Sequence, residues 1–268
     1  FGSGKKRSLP DQLVKITVLG TGTSVGVPMI GCHCEVCTSH DPRDRRLRTS
    51  LHVEVGSTSI IIDIGHDFRQ QVLAHQIRDI DAILITHHHA DHTSGIDEIR
   101  GYNFTHRKSV PFYAEEYVCT DLQERFGYIF GGGEYPSLPQ ISLNKISAGK
   151  KFNVREVDIE PLRVMHGSLP VLGFRLGSFA YITDANSIPF ESIQRLTGLD
   201  YLIINALRQK SHHAHFSLEE SLQMISNLKP RQTYLTHISH QMGKHADVSK
   251  LLPEGVELAF DGLVFFSP

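Results

Sequence analysis

The chain of 268 residues is 40% hydrophobic and 21% charged, with a formal net charge of −2 at pH 7 and 17 histidines. That length and apolar content suffice for one sizeable core, while the near-neutral balance excludes a general pull towards nucleic acid or a membrane surface. No apolar run is long enough to span a bilayer and no signal-like segment opens the chain, so the expectation is a cytoplasmic enzyme whose one compositional departure is its histidine content.

Residues 1–4 resemble a cloning remnant or a trimmed end; 1–12 are set aside as disordered or added, and one hydrolase domain is expected over 13–268. The first strand is predicted over 14–19. Gly20-Thr21-Gly22-Thr23-Ser24-Val25-Gly26-Val27-Pro28 then reads as a tight turn, without the helix that follows a dinucleotide fingerprint. Gly31-Cys32-His33-Cys34-Glu35-Val36-Cys37 crowds three of the four cysteines together, leaving Cys119 far away. In a reducing compartment such clustering points to a metal before a disulfide. A closed Cys₃His zinc site is a standard solution, and three free buried thiols are the plain alternative. His240, three residues after His237, is the candidate fourth ligand. Asp41-Pro42-Arg43-Asp44-Arg45-Arg46-Leu47-Arg48 is the densest basic run; a solvated, salt-bridged loop explains it, and the functional alternative is that Arg46 or Arg48 forks onto a substrate phosphate.

Strands over 50–55, 58–63 and 81–86, with a helix over 66–75, lead to Thr86-His87-His88-His89-Ala90-Asp91-His92. Imidazole and carboxylate donors delivered by a strand suit Zn²⁺, Mn²⁺ or Fe, and they outnumber what one tetrahedral ion accepts, which suggests two adjacent metals. A solvated histidine tract is the plain alternative; Asp91 and the apolar lead-in argue against it. His88 points opposite to its neighbours in an extended segment and is not taken as a ligand. Helices are predicted over 91–100 and 115–126. Gly127-Tyr128-Ile129-Phe130-Gly131-Gly132-Gly133-Glu134-Tyr135-Pro136 follows as a flexible loop whose aromatics could line a substrate mouth, a simple surface loop being the plainer explanation.

Three later strand ends offer further donors: His166 after 157–164, Asp184 after Tyr181-Ile182-Thr183, and His237 after Tyr234-Leu235-Thr236. Each alone reads as a cap or turn residue; together they complete a set. His87, His89 and His166 can hold one metal, Asp91, His92 and His237 a second, with Asp184 bridging through its two oxygens. Between them, Ser211-His212-His213-Ala214-His215-Phe216-Ser217 places three imidazoles after a strand over 201–205, and a helix over 217–228 starts with Ser217 as N-cap and Glu220 in the capping-box position.

This order of motifs, from about Val14 to Phe266, resembles the metallo-β-lactamase superfamily. The resemblance implies an α+β fold, the αββα four-layer sandwich, with the dimetal site at one edge and the ligand assignment above. Asp184 stands where true β-lactamases carry a cysteine, which moves the expectation towards the phosphodiesterase, glyoxalase and ribonuclease Z branches. The glycine run, together with Thr236-His237-Ile238-Ser239-His240-Gln241, is similar to the cyclic phosphodiesterases of the carbon–phosphorus lyase (phosphonate) pathway, which open 5-phosphoribosyl 1,2-cyclic phosphate and pair a dimetal site with a Cys₃His zinc site. Ser217 departs from the acidic residue expected two positions after His215.

The resemblance thus implies a phosphodiesterase acting on a small cyclic or alkyl diester. Two divalent cations (Mn²⁺ or Zn²⁺) would share the attacking hydroxide, Asp91 would serve the catalytic centre, His215 would be a general acid titrating near neutral pH, and one structural Zn²⁺ would sit in the cysteine cluster. His212 and His213 remain substitutes for the acid. The partner is a small molecule rather than nucleic acid or membrane, with a homodimer left open. A ribonuclease Z-like endonuclease would need a basic docking arm, and residues 127–139 contain no Lys or Arg. The same donors could also serve a thioester or lactone hydrolase, or a metal-binding scaffold without catalysis.

Overall fold

The computed structural model describes residues 13–131 and 137–268; the stretch 1–12 and the 132–136 part of the expected loop lie outside the described residues. Strands β1 (Val14–Gly20), β2 (Ser50–Val55), β3 (Thr58–Ile62), β4 (Ala82–Leu84), β5 (Val110–Ala114) and β6 (Ile141–Lys145) build the first sheet. A second is built from β7 (Phe152–Val154), β8 (Val157–His166), β9 (Leu169–Leu176), β10 (Phe179–Ile182), β11 (Tyr201–Asn205), β12 (Gln232–Thr236) and β13 (Val256–Leu258), after which β14 (Val264–Ser267) returns to the first sheet beside β1. Both sheets have seven strands and the same mixed plan. The pairs from β14 through β1 and β2 to β3 are antiparallel and those from β3 to β6 parallel; those from β7 to β10 are antiparallel and those from β10 to β13 parallel.

Helices α1 (Phe68–Ala74), α2 (Ala90–Thr93), α3 (Ile99–His106), α4 (Glu116–Arg125) and α5 (Gly127–Phe130) follow strands of the first sheet, and α6 (Phe190–Arg195), α7 (Leu218–Leu228) and α8 (His245–Val248) strands of the second. The strand period of two sorts β3 cleanly. Ile60 and Ile62 point into the layer between the sheets, where they join Val18, Leu84, Leu172, Phe174, Tyr181 and Ile203. Ile61 points outward and packs with Phe68, Val72, Ile99, Val118 and Leu122 of the helices. A third layer joins Ala180, Ile182, Leu202 and Leu235 to Leu196, Leu218, Ile225 and Leu228. Sheets covered on both faces need apolar runs rather than strict alternation, which is why Ile60-Ile61-Ile62 reads as it does. Each fully buried Ile or Phe contributes roughly 1.5–3 kcal/mol. The architecture is the α+β four-layer αββα sandwich.

Two local expectations are corrected. The helix expected over 91–100 is broken: α2 stops at Thr93, a 3₁₀ turn spans Ile96–Glu98, and α3 begins at Ile99. Gly95 causes the break, because its N–H donates to the Ile64 carbonyl at 2.7 Å. A Cβ there would lie 2.6 Å from the Gly65 oxygen. The segment over Gly127–Phe130, expected as loop, is a helical turn with Ile129 buried in the outer core. Tyr128 does not line a mouth; its hydroxyl donates to Asp97 at 2.6 Å. Helix α7 has the expected capping box, with Ser217 N–H donating to Glu220 Oε2 at 2.7 Å and Glu220 N–H donating to Ser217 Oγ at 3.3 Å. No helix among the described residues is long and apolar enough to cross a membrane.

Candidate metal centre

The carboxyl ends of β4, β8, β10 and β12 converge on one edge of the sandwich, and the ends of parallel strands are the usual place for a site in sheets of this kind. β4 runs into His87, His89, Asp91 and His92; β8 ends at His166, β10 runs into Asp184 and β12 into His237. The two sheets are joined there by Leu172 N–H donating to the Thr86 carbonyl at 3.0 Å. Two donor groups result, His87–His89–His166–Asp184 and Asp91–His92–Asp184–His237, with the ligand atoms in each within 4.8 Å of one another. Asp184 belongs to both. Its Oδ2 lies 3.8 Å from His87 Nε2, whereas its Oδ1 lies 3.0 Å from His237 Nδ1 and 3.5 Å from His92 Nε2.

Three of the imidazoles are gripped on one nitrogen by their surroundings. His92 Nδ1 lies 2.7 Å from Asp63 Oδ2, His166 Nδ1 is 2.8 Å from the Ala214 carbonyl, and His87 Nδ1 is 3.0 Å from Thr86 Oγ1. Asp63 also accepts from Thr86 N–H and Oγ1–H at 2.9 and 2.8 Å. The opposite nitrogen of His87, Nε2, is buried without a hydrogen-bond partner among the described residues, and that of His92 faces only the carboxylates of Asp91 and Asp184, at 3.2 and 3.5 Å. Buried polar atoms of this kind are costly unless a ligand satisfies them, and a grip on the other ring nitrogen is what a metal-binding histidine needs. The residues present therefore fit divalent cations.

The electrostatics agree. Burial opposes charge on His92, yet Asp91, Asp184 and Asp63 around it outweigh that cost and raise its pKa well above the ordinary imidazole value. Burial likewise opposes ionisation of Asp184, but His237 and His92 hold its carboxyl well below the usual carboxylate range. Desolvation pushes the pKa of His87 well below its ordinary value, keeping that ring neutral. Three carboxylates thus draw positive charge onto His92, charge that a bound cation would supply in place of the proton.

His215 sits beside these donors. Its buried ring stacks on His237 with centroids 4.9 Å apart and lies 4.4 Å from His166. Burial, with help from His237, pushes its pKa down to about 3. His212 is 5.2 Å from His215, and its Nδ1 accepts from Ala214 N–H at 3.2 Å; His213 is exposed. His88 is in neither donor group and packs edge-on against Tyr117 at 5.6 Å.

A separate cluster unites Cys32, Cys34, Cys37 and His240, whose donor atoms also lie within 4.8 Å of one another. Cys32, Cys34 and Cys37 place Sγ 3.3, 3.3 and 3.5 Å from His240 Nδ1. Zinc bonds of about 2.3 Å to sulfur and 2.0–2.1 Å to nitrogen at tetrahedral angles require an S···N separation of about 3.6 Å, close to what is seen. The Cys37 N–H donated to Cys34 Sγ leads the influences that lower the Cys34 thiol to about 6, while burial pushes Cys37 up to about 11. Cys119 stays apart, buried in the outer core.

Arg46 and Arg48, the alternative candidates for a substrate phosphate, both have their guanidinium groups engaged within the protein. Arg46 is buried, donating from Nη1 to Thr21 Oγ1 at 2.8 Å and to the Ala259 carbonyl at 2.6 Å, with Nη2 3.1 Å from His245 Nδ1. Arg48 is engaged by Asp67 at 3.0 Å and the Ser24 carbonyl at 3.0 Å. Conversely, sequence reasoning misses Asp63. Its one signal is an acidic residue closing the run Ile60-Ile61-Ile62, and it adopts a left-handed φ of 63°.

Paired donor groups sharing a carboxylate at the edge of an αββα sandwich define a metal-dependent hydrolase. The Beta-lactamase superfamily domain matches residues 58–238. A crystal structure described as a new diphosphatase from the PhnP family is 41% identical, with a TM-score of 0.89 over 95% of this chain and 97% of that one. The chain belongs to the β-lactamase superfamily and, within it, to the PhnP family. Among curated relatives, the octanoyltransferase of Porphyromonas gingivalis is 38% identical over 252 residues, 93% of this chain but 51% of that protein, so the chain spans about half its length. Zn²⁺-bound PqqB from Methylobacterium extorquens shares the fold at 17% identity, with a TM-score of 0.78 over 94% of this chain and 99% of that one.

Proposed function

We propose that the protein is a metal-dependent phosphodiesterase acting on a small cyclic or alkyl phosphodiester, with 5-phosphoribosyl 1,2-cyclic phosphate as the substrate its family likeness favours. The observation that carries this reading is Asp184, whose two oxygens face the two donor groups. His87, His89 and His166 would hold one divalent cation, Mn²⁺ or Zn²⁺, and Asp91, His92 and His237 the other. Bound there, the pair would neutralise phosphoryl charge and lower the pKa of water.

The chain's own residues supply orientation and the proton. Asp63 and the Ala214 carbonyl fix the rings of His92 and His166, so the donor set is arranged before anything binds. His215 would protonate the departing alkoxide. An anionic diester lying against it would oppose the burial that depresses its pKa, because a neighbouring negative charge favours the imidazolium, the form that can donate. His215→Ala should slow a diester with an alkyl leaving group at least ~100-fold while affecting a p-nitrophenyl ester much less, with both active-site metals retained. Equal losses on the two substrates would reject His215 as the acid.

A second reading is favoured by one comparison, the 41% identical protein described as a diphosphatase. A phosphate leaving group departs with little need of a proton. A nucleoside diphosphate ester cleaved faster than any alkyl diester, and indifferent to His215→Ala, would select that reading.

A further inference from the structure

The segment after β12 is shared by three structures at once. His237 belongs to the dimetal donors and His240 to the thiolate cluster; the residues between and beyond them hold the loop that carries His215. Ser239 is the centre of this arrangement. Its backbone N–H and its buried hydroxyl both donate to the Leu207 carbonyl, each at 2.9 Å, and the same Oγ accepts from Gln241 N–H at 3.2 Å, capping the turn that presents His240. Leu207 in turn donates from its N–H to the Phe216 carbonyl at 2.9 Å, immediately after His215. Further out, Arg208 reaches Gln241 Oε1 at 3.0 Å while donating to the Lys210 and Ser211 carbonyls at 3.1 and 2.8 Å, and Gln209 Nε2 donates to the Met242 carbonyl at 2.9 Å.

We infer that Ser239 and Arg208 are positioning residues: through them the Cys32–Cys34–Cys37–His240 cluster sets the placement of the His215 ring beside the dimetal donors. With the turn 239–242 fixed at one end by His240, the Leu207 carbonyl and the 208–211 backbone have a rigid partner, and His215 stays stacked on His237. With that anchor loosened, the loop loses its reference, while the metal-donor residues stay on their strand ends and only His166 loses part of its grip, the one made by the Ala214 carbonyl. The catalytic side of this inference rests on His215 being the general acid.

The test uses the metal-loaded protein and its Ser239→Ala, Ser239→Thr, Arg208→Met and His215→Ala variants. Imidazole nitrogen NMR, with the His215 signal identified by its loss in His215→Ala, reads ring placement without turnover. The expected result is a shifted or broadened His215 signal in Ser239→Ala and Arg208→Met, wild-type metal content in both, and restoration in Ser239→Thr, which keeps the hydroxyl. Turnover of an alkyl diester should fall about 5- to 30-fold in kcat with little change in KM, and p-nitrophenyl ester turnover should hold. Adding Arg208→Met to His215→Ala should cost nothing further. An unmoved His215 signal in both variants overturns the inference. If the signal moves but His215→Ala itself shows no leaving-group dependence, the placement stands and the acid assignment fails. Should one variant fail to fold, the other decides.

Discussion

The dimetal donors and the cysteine cluster are two answers to the same problem. The first is assembled on strand ends of both sheets, with rings held by the Asp63 carboxylate, the Ala214 carbonyl and Thr86 before any cation arrives. The second lies in a loop whose own buried core comprises Val27, Val36 and Cys37. Scaffold geometry organises the first, whereas an ion held by the second would tie together a loop with little core of its own. Loss of a ligand should therefore damage chemistry in the first region and stability in the second.

The sharpest way to break that contrast is Asp184→Ala. It should abolish turnover and empty at least one active-site metal position while leaving one zinc in the cysteine cluster, checked by metal analysis and a diester assay. Near-normal activity would reduce Asp184 to a turn residue. Next, Asp63→Asn keeps the shape but removes the charge facing His92, and should weaken active-site metal affinity about 10- to 100-fold, as measured by competition with a chelator. Unchanged affinity would show that the scaffold is not pre-arranging His92. Cys34→Ser should act in the opposite sense, lowering Tm by about 5 °C or more, on the scale of ~2 kcal/mol, while active-site metal content persists. All three thiols titrating freely after growth in zinc-replete medium would remove the zinc assignment.

The smallest effect concerns acid sensitivity of the loop beside the cysteine cluster. Burial, and then Arg46, push His245 down to about 4 from 6.5. The unfolded chain therefore binds that proton more readily than the folded one, so stability is lost as pH falls from about 6.5 through about 4. His245→Asn should flatten this part of the stability–pH curve; an identical slope in the variant would place the sensitivity elsewhere.

That His87, His89, Asp91, His92, His166, Asp184 and His237 come together is legible in the sequence because a strand end is a local signal: an apolar run closing on His or Asp can be read without knowing the fold. Asp63 carries the same signal, yet a single acid after Ile60-Ile61-Ile62 is indistinguishable from a turn until His92 is seen against it. Arg46 misleads for the opposite reason. A basic run looks solvated, but Arg46 is buried by Ala259 and His245, contacts separated by about two hundred residues that no local pattern reports. The broken helix after Asp91 belongs with it, because the packing of Gly95 against Gly65 and Phe68 is tertiary. The four-layer plan follows from the family likeness, and the run of strands agrees with it; the strand order within each sheet comes from the structure.

Asp63, Asp184 and His237 share one further property: each adopts a left-handed backbone, with φ of 63°, 52° and 54°. Asp and His tolerate that region better than most residues, and glycine adopts it at no steric cost. At these three positions heat resistance and catalysis therefore pull apart. A library selected only for survival at high temperature, with no demand for turnover, should drift towards glycine or asparagine at 184 and 237, and the hardiest survivors should be the least active.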